Sequence, residues 1–189
     1  VARAAGAQVV CEPRRGYGAA CLRALAALPP EIDAVVFLQA DGSEDPAEAA
    51  ALLAPIYEDR ADLVIGSRTL GRTEPGALPP HQALGNRIAT ALIRCFYGRS
   101  FTDVGPFRAI RRTSLERLGM RDRTYGWTVE MQIRALQHGL RVAEVPVSYR
   151  PRVAGEGKVS ASLTASIRAG FKILWTVLRL TRERPALPR

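Results

Sequence analysis

Two short apolar runs, Ala34-Val35-Val36-Phe37-Leu38 and Leu63-Val64-Ile65, flank a helix-length stretch that begins at Pro46. Uninterrupted apolar runs of this length suit strands buried on both faces, as in sheets covered by helices on either side. Read outward, the chain gives a strand at Gln8–Cys11 and a helix from Ala19 to Leu28. The strand ending near Gln39, a helix from Pro46 to Asp59 and a strand at Asp62–Ile65 follow. That β-α-β-α-β order predicts an α/β fold with a mostly parallel sheet and crossover helices. Such sheets bind ligands along the edge where the strands end. Both apolar runs end in polar chemistry there. Leu38 leads into Gln39-Ala40-Asp41-Gly42-Ser43-Glu44-Asp45, and Ile65 into Gly66-Ser67-Arg68. The acidic turn has a plainer reading too, with Asp45 or Ser43 capping a helix whose first residue is Pro46.

Further along, the proline- and glycine-bearing stretch from Thr69 to Pro80 reads as a loop over the sheet edge. A helix at His81–Tyr97 carries Leu84, Ile88, Leu92 and Phe96 spaced by four. A strand is expected at Phe107–Ile110, a helix at Thr128–Gln137, and short β segments at Arg141–Val145 and Val147–Tyr149, on either side of Pro146. The last helix, Ala161–Arg182, has an apolar stripe with Phe171 and Trp175, edged by Arg168, Lys172, Arg179 and Arg182. It divides the chain into 1–160 and a basic amphipathic tail, 161–189. A helix of that kind lies in a membrane interface or packs on its own domain.

The net charge of +9 is carried almost wholly by arginine, since Lys158 and Lys172 are the only lysines. Arginine favours phosphate and anionic surfaces, and a GC-rich genome produces the same bias. The scattered basic residues form no nucleic-acid reader motif. Cys11, Cys21 and Cys95 are odd in number and widely spaced, which argues against a disulfide or a metal site and for buried thiols in a reducing compartment. No run of 18 apolar residues is present and no signal peptide is seen. The opening residues read as the end of a helix, as in a piece of a longer protein.

Singly these features are weak; in order they carry a resemblance. Gly16-Tyr17-Gly18-Ala19-Ala20, Ala40-Asp41-Gly42 with Asp45-Pro46, and Ile65-Gly66-Ser67-Arg68 come first. Leu84-Gly85-Asn86-Arg87, Thr102-Asp103 through Phe107-Arg108, Gly126-Trp127-Thr128-Val129-Glu130, and Glu144-Val145-Pro146-Val147 through Lys158-Val159-Ser160 follow. The chain resembles a family 2 glycosyltransferase of the GT-A fold, in the polyprenyl-phosphate mannose and glucose synthase branch. The resemblance implies transfer of a hexose from a nucleotide-diphosphate sugar to a phosphate or lipid-phosphate acceptor, assisted by Mg²⁺ or Mn²⁺. It implies Asp41 as metal ligand, with Gln39 and Ser43 departing from the residues usual there. It implies Asp103 and Glu130 as catalytic residues, Glu130 standing where many members carry an acid that deprotonates the acceptor, and Gln39, Arg68, Arg108, Arg152 and Lys158 as substrate-binding residues. A buried ion pair holding the loop is the competing role for Asp103 and Arg108. The resemblance also implies a cytoplasmic place at the inner face of the plasma membrane, with peripheral contact to it. Relative to the family, the first β-α units are expected to be missing. A second reading stands beside the enzyme: a non-catalytic truncated homologue serving as a basic membrane- or partner-binding module.

Overall fold

The computed structural model describes residues 1–153 and 163–183, with side chains of the final helix described from Gly170 onward. Four strands form one sheet: β1 (Ala34–Phe37), β2 (Leu63–Ser67), β3 (Arg108–Arg111) and β4 (Val142–Pro146), in the order β1-β3-β2-β4. β2 pairs parallel with β4, whereas β3 lies antiparallel to both β1 and β2. The three strands β1, β2 and β4 therefore share one direction, and β3 alone is reversed. The α/β class stands; the alternation of elements did not show that β3 is inserted between β1 and β2. The cause is local. Ser67 Oγ lies 2.6 Å from Thr102 Oγ1, so the chain arrives at β3 from the edge where β2 leaves and has to run back down the sheet.

Six helices cover the sheet: α1 (Tyr17–Leu25), α2 (Ala49–Tyr57), α3 (Pro80–Tyr97), α4 (Arg112–Leu118), α5 (Trp127–Gln137) and α6 (Leu163–Arg182). Side chains alternate across β2 as the pleat requires. Val64 joins Ala109, Phe107 and Val147 against Leu52 and Ile56 of α2. Leu63 and Ile65 join Ile110, Ile93, Trp127, Met131, Val177 and Leu180 on the other face, under α3, α5 and α6. All five residues of β2 are buried. Each large aliphatic side chain so enclosed contributes about 1.5–3 kcal/mol.

Several expectations are corrected. Gln8–Cys11 has no partner strand among the described residues, and Val9 is exposed. Cys11 and Cys95 are exposed and Cys21 is half-buried, so the thiols do not form the buried set expected. Along α3 the buried residues are Asn86, Ala89 and Ile93, while Leu84 and Ile88 face solvent. Val147–Tyr149 is no strand; Tyr149 alone bridges, to Glu44 and to Thr73. Helix α4 lies where the sequence reading placed none.

Helix α6 packs on its own domain and leaves a strip of apolar side chains exposed. Thr176, Val177 and Leu180 are buried against the body, while Phe171, Trp175 and Leu178 are 69%, 57% and 45% exposed. Two of its basic residues turn inward: Lys172 pairs with Asp122 at 3.1 Å, and Arg179 approaches Glu130 at 3.8 Å. Gln137 Nε2 donates to the Leu180 carbonyl at 2.7 Å.

Candidate active site

Because β1 and β2 run the same way, their exits share one edge, and a strap from Tyr149 to Val153 crosses it. Its backbone is tied to the β1 exit: Arg150 N donates to the Ser43 carbonyl (2.8 Å) and Val153 N to that of Asp41 (3.0 Å). Tyr149 N donates to the carbonyl of Arg72, beyond the β2 exit, at 2.9 Å. The Arg68 guanidinium lies 5.0 Å from the centre of the Tyr149 ring, in cation–π range. Asp41, Arg68 and Arg152 are thereby gathered at one edge.

Asp41 is engaged on both oxygens. Ser43 donates its backbone N–H (3.0 Å) and its hydroxyl (2.5 Å) to Oδ1, and Arg152 pairs with Oδ2 at 3.0 Å. Asp45 is a helix cap as the plainer reading had it, accepting from Ala47 N at 3.0 Å, and it also pairs with Arg150. Gln39 is half-buried; its amide oxygen is enclosed without a hydrogen-bond partner among the described residues.

The second half of the edge is a buried polar block. Asp103, fully buried, accepts from Arg68 Nε (2.8 Å), Arg68 backbone N (2.8 Å) and Arg68 Nη2 (2.7 Å). Burial works against the Arg68 charge, yet this carboxylate holds the guanidinium above its ordinary value. Three residues hold the loop around Asp103. Glu144 accepts from Thr102 N (2.9 Å) and Asp103 N (3.2 Å), Asn86 Oδ1 accepts from Val104 N (2.9 Å), and Gln132 Nε2 donates to the Asp103 carbonyl (2.9 Å). Arg108 is fully buried below this loop and donates to the carbonyls of Gly105 and Thr128. Burial pulls its guanidinium down to about 10. Asp103 is thus paired with Arg68 and not with Arg108.

Glu130 is also fully buried. Its Oε2 accepts from Asp122 N (2.6 Å) and Arg121 N (3.1 Å), and Arg134 donates to Oε1 at 2.9 Å. Both oxygens are occupied in tying α5 to the 121–122 segment and α6. No described partner of Glu130 is shared with Asp41 or Arg68. Lys158 lies outside the described residues.

The Gly16-Tyr17-Gly18 turn has a packing cause. A Cβ on Gly16 would lie 2.1 Å from the Arg123 carbonyl oxygen, and one on Gly18 the same distance from that of Asp122. Tyr17 is half-buried, and desolvation raises its hydroxyl well above the usual phenol value. Glu44 was not singled out from the sequence. It is 4% exposed, and burial first, then Asp41, push its carboxyl up to about 7, against the pull of Gln39 N–H, Arg68 and Arg108. Glu144 and Asn86 stood inside quoted motifs without a role. Only the acidic density after β1 and the polar residues spaced along α3 hinted at them.

Glycosyl transferase family 2 matches residues 3–119. An uncharacterised glycosyltransferase of Mycobacterium tuberculosis is 41% identical over 170 residues, covering 89% of this chain and 75% of the relative. The undecaprenyl-phosphate mannosyltransferase of Micrococcus luteus is 30% identical over 156 residues, covering 78% of this chain and 63% of its own length. Among solved structures, glucosyl-3-phosphoglycerate synthase from M. tuberculosis superposes with a TM-score of 0.70 at 22% identity. It covers all of this chain and 64% of that one, and was crystallised with Mn²⁺, UDP-glucose and phosphoglyceric acid. The described sheet and helices are those of a GT-A fold. With more than half its length matched to the family and relatives on this scale, the chain belongs to glycosyl transferase family 2.

Proposed function

We propose that the protein transfers a hexose from a nucleotide-diphosphate sugar to a lipid-phosphate acceptor of the polyprenyl-phosphate kind. The observation that carries this is the convergence of Asp41, Arg68 and Arg152 on one sheet edge, under a strap bound to both strand exits. The name of the M. luteus relative supports the acceptor class, and the ligands of the M. tuberculosis synthase support a nucleotide sugar with a phosphate-bearing acceptor.

In this reading the acceptor phosphate is already ionised. Its oxygen attacks the anomeric carbon, the bond from that carbon to the diphosphate breaks, and the nucleoside diphosphate leaves. No strong base is required. That agrees with Glu130 being locked in a buried ion pair, so both Glu130 and Asp103 act as positioning residues. Asp103 fixes Arg68 at the edge, and Arg152 on the strap meets the phosphates through charge-assisted bonds.

A divalent ion fits the donor set. Asp41 offers a carboxylate oxygen to such an ion once Arg152, which pairs with it at 3.0 Å in the free protein, turns to the donor phosphates. No group of three His, Cys, Asp or Glu stands together among the described residues. A hard cation here would be held by Asp41 and chiefly by the donor's own phosphate oxygens. When bound, Mg²⁺ or Mn²⁺ supplies charge to the departing diphosphate.

The exposed Phe171, Trp175 and Leu178 on α6 support peripheral contact with the membrane that holds such an acceptor. No helix among the described residues is long and apolar enough to cross a membrane.

The test is incubation of the full-length protein with radiolabelled nucleotide sugars, Mn²⁺ and undecaprenyl phosphate in detergent. Label in an extractable lipid-linked product is expected. Label transferred only to phosphoglycerate would overturn the lipid acceptor, and no transfer to either would overturn the reading.

A further inference from the structure

Glu44 sits at the far end of the turn that carries Asp41. Its Oε2 accepts the backbone N–H of Gln39 at 2.7 Å and so closes the turn from Gln39 to Glu44. Its own backbone bridges antiparallel to Tyr149 of the strap. The carboxyl of one residue therefore closes the turn while its backbone ties the turn to the element that crosses it.

The remaining oxygens of this pair are informative. Glu44 Oε1 and Gln39 Oε1 are both buried, and neither has a hydrogen-bond partner among the described residues. Both are acceptor atoms when Glu44 is ionised, so neither can satisfy the other. A proton on Glu44 Oε1 turns one acceptor into a donor, and Gln39 Oε1 is a buried acceptor in the same turn that lacks one. The surrounding groups are Asp41 on the turn, Arg68 at the β2 exit, Arg108 on β3 and Tyr17 on α1. Burial and Asp41 favour the neutral acid, whose value of about 7 lies well above the ordinary carboxyl. A neutral acid keeps the bond to Gln39 and adds no second buried negative charge beside Asp41.

We infer that Glu44 is a positioning residue for the transfer reaction, closing the Gln39–Glu44 turn so that the Asp41 carboxylate is fixed where the donor diphosphate and its cation bind. This rests on the transferase reading above. Glu44 touches no reacting atom in it. It acts through Gln39 and the placement of Asp41.

The experiment is calorimetric titration of the full-length protein, E44Q and E44A with a nucleoside diphosphate and Mn²⁺, at pH 6 and pH 8. E44Q keeps a carbonyl oxygen for Gln39 N–H and no titrating proton. Its affinity should stay within about threefold of wild type at pH 6, while E44A loses about tenfold or more. Wild type should weaken relative to E44Q by about fivefold between pH 6 and pH 8. If E44A does not fold, that ratio decides alone, and a constant ratio overturns the inference. Wild-type affinity in a folded E44A overturns it while leaving the transferase reading intact. Absence of any diphosphate binding by the wild-type protein overturns the transferase reading, and the role of Glu44 with it.

Discussion

Replacing Asp103 by Ala separates a positioning role from a catalytic one. The carboxylate is fully buried and takes three hydrogen bonds from Arg68, whose side chain is only 11% exposed. Removing one partner of such a pair leaves an uncompensated guanidinium in the interior, which costs about 3–5 kcal/mol. A domain of ordinary stability has about 5–15 kcal/mol in all, so Asp103→Ala should move the urea midpoint far down or leave the protein unfolded at 37 °C. Asp103→Asn keeps the shape and one acceptor and should lose less. The double change Asp103→Leu with Arg68→Met removes both charges and should recover much of the loss, as replacement of buried pairs by apolar residues often does. Urea denaturation followed by circular dichroism reads all three. A group whose main work is at the reacting atoms would behave otherwise: Asp103→Ala within about 0.5 kcal/mol of wild type, with activity abolished, would refute the buried-strut reasoning.

Arg152 should show opposite signs in two assays. It occupies Asp41 in the free protein at 3.0 Å, so Arg152→Ala should tighten Mn²⁺ binding measured alone and weaken nucleoside diphosphate binding by roughly tenfold; movement of both in the same direction would count against it. Glu44 predicts a pH dependence of stability. Its folded value of about 7 lies above its ordinary 4.5, so the folded state keeps a proton that the unfolded chain releases across that interval. Wild-type stability should fall as pH rises from 4.5 to 7 and then level off, by about 3 kcal/mol relative to E44Q, as read by denaturation at pH 5 and pH 8. For α6, Trp175→Ser should leave the exposed surface stable and cut liposome binding by roughly tenfold, the worth of a buried large side chain. Because Lys172 and Arg179 face the body, that binding should depend only weakly on salt. Wild-type protein that ignores liposomes would remove the membrane contact.

The strands ending at Asp41 and Arg68 were legible because continuous apolar runs report burial on both faces. The edge chemistry was legible because it follows them directly in sequence. Period and composition do not report neighbours, however. That Arg108 pairs in register with both Phe37 and Ile65 depends on where α3 returns the chain. The Arg68–Asp103 pair joins residues 35 apart, so nothing local distinguishes it from a pair with Arg108. The stripe of Leu84, Ile88, Leu92 and Phe96 pointed to a helix correctly, but only Leu92 and Phe96 pack against the core while Leu84 and Ile88 face solvent, since a repeat of four drifts around a 3.6-residue helix. Glu130 was recognised as special, and its Arg134 contact is an i,i+4 pair along α5, but its burial and the Arg179 contact come from tertiary packing that period and composition do not report.

The reversed strand also sets a timetable. Among the described residues Ala34 pairs with Arg111, because β3 stands between β1 and β2. A ribosome adding about 5–20 residues per second delivers β3 several seconds after β1. The first parallel pairing, β2 with β4, waits in turn for Val142. Sheets whose partners are this distant in sequence fold late and all at once. The acidic turn at Asp41 is therefore made well before the strand β3 that pairs with β1, and a charged turn that keeps such a strand soluble serves assembly before it serves chemistry.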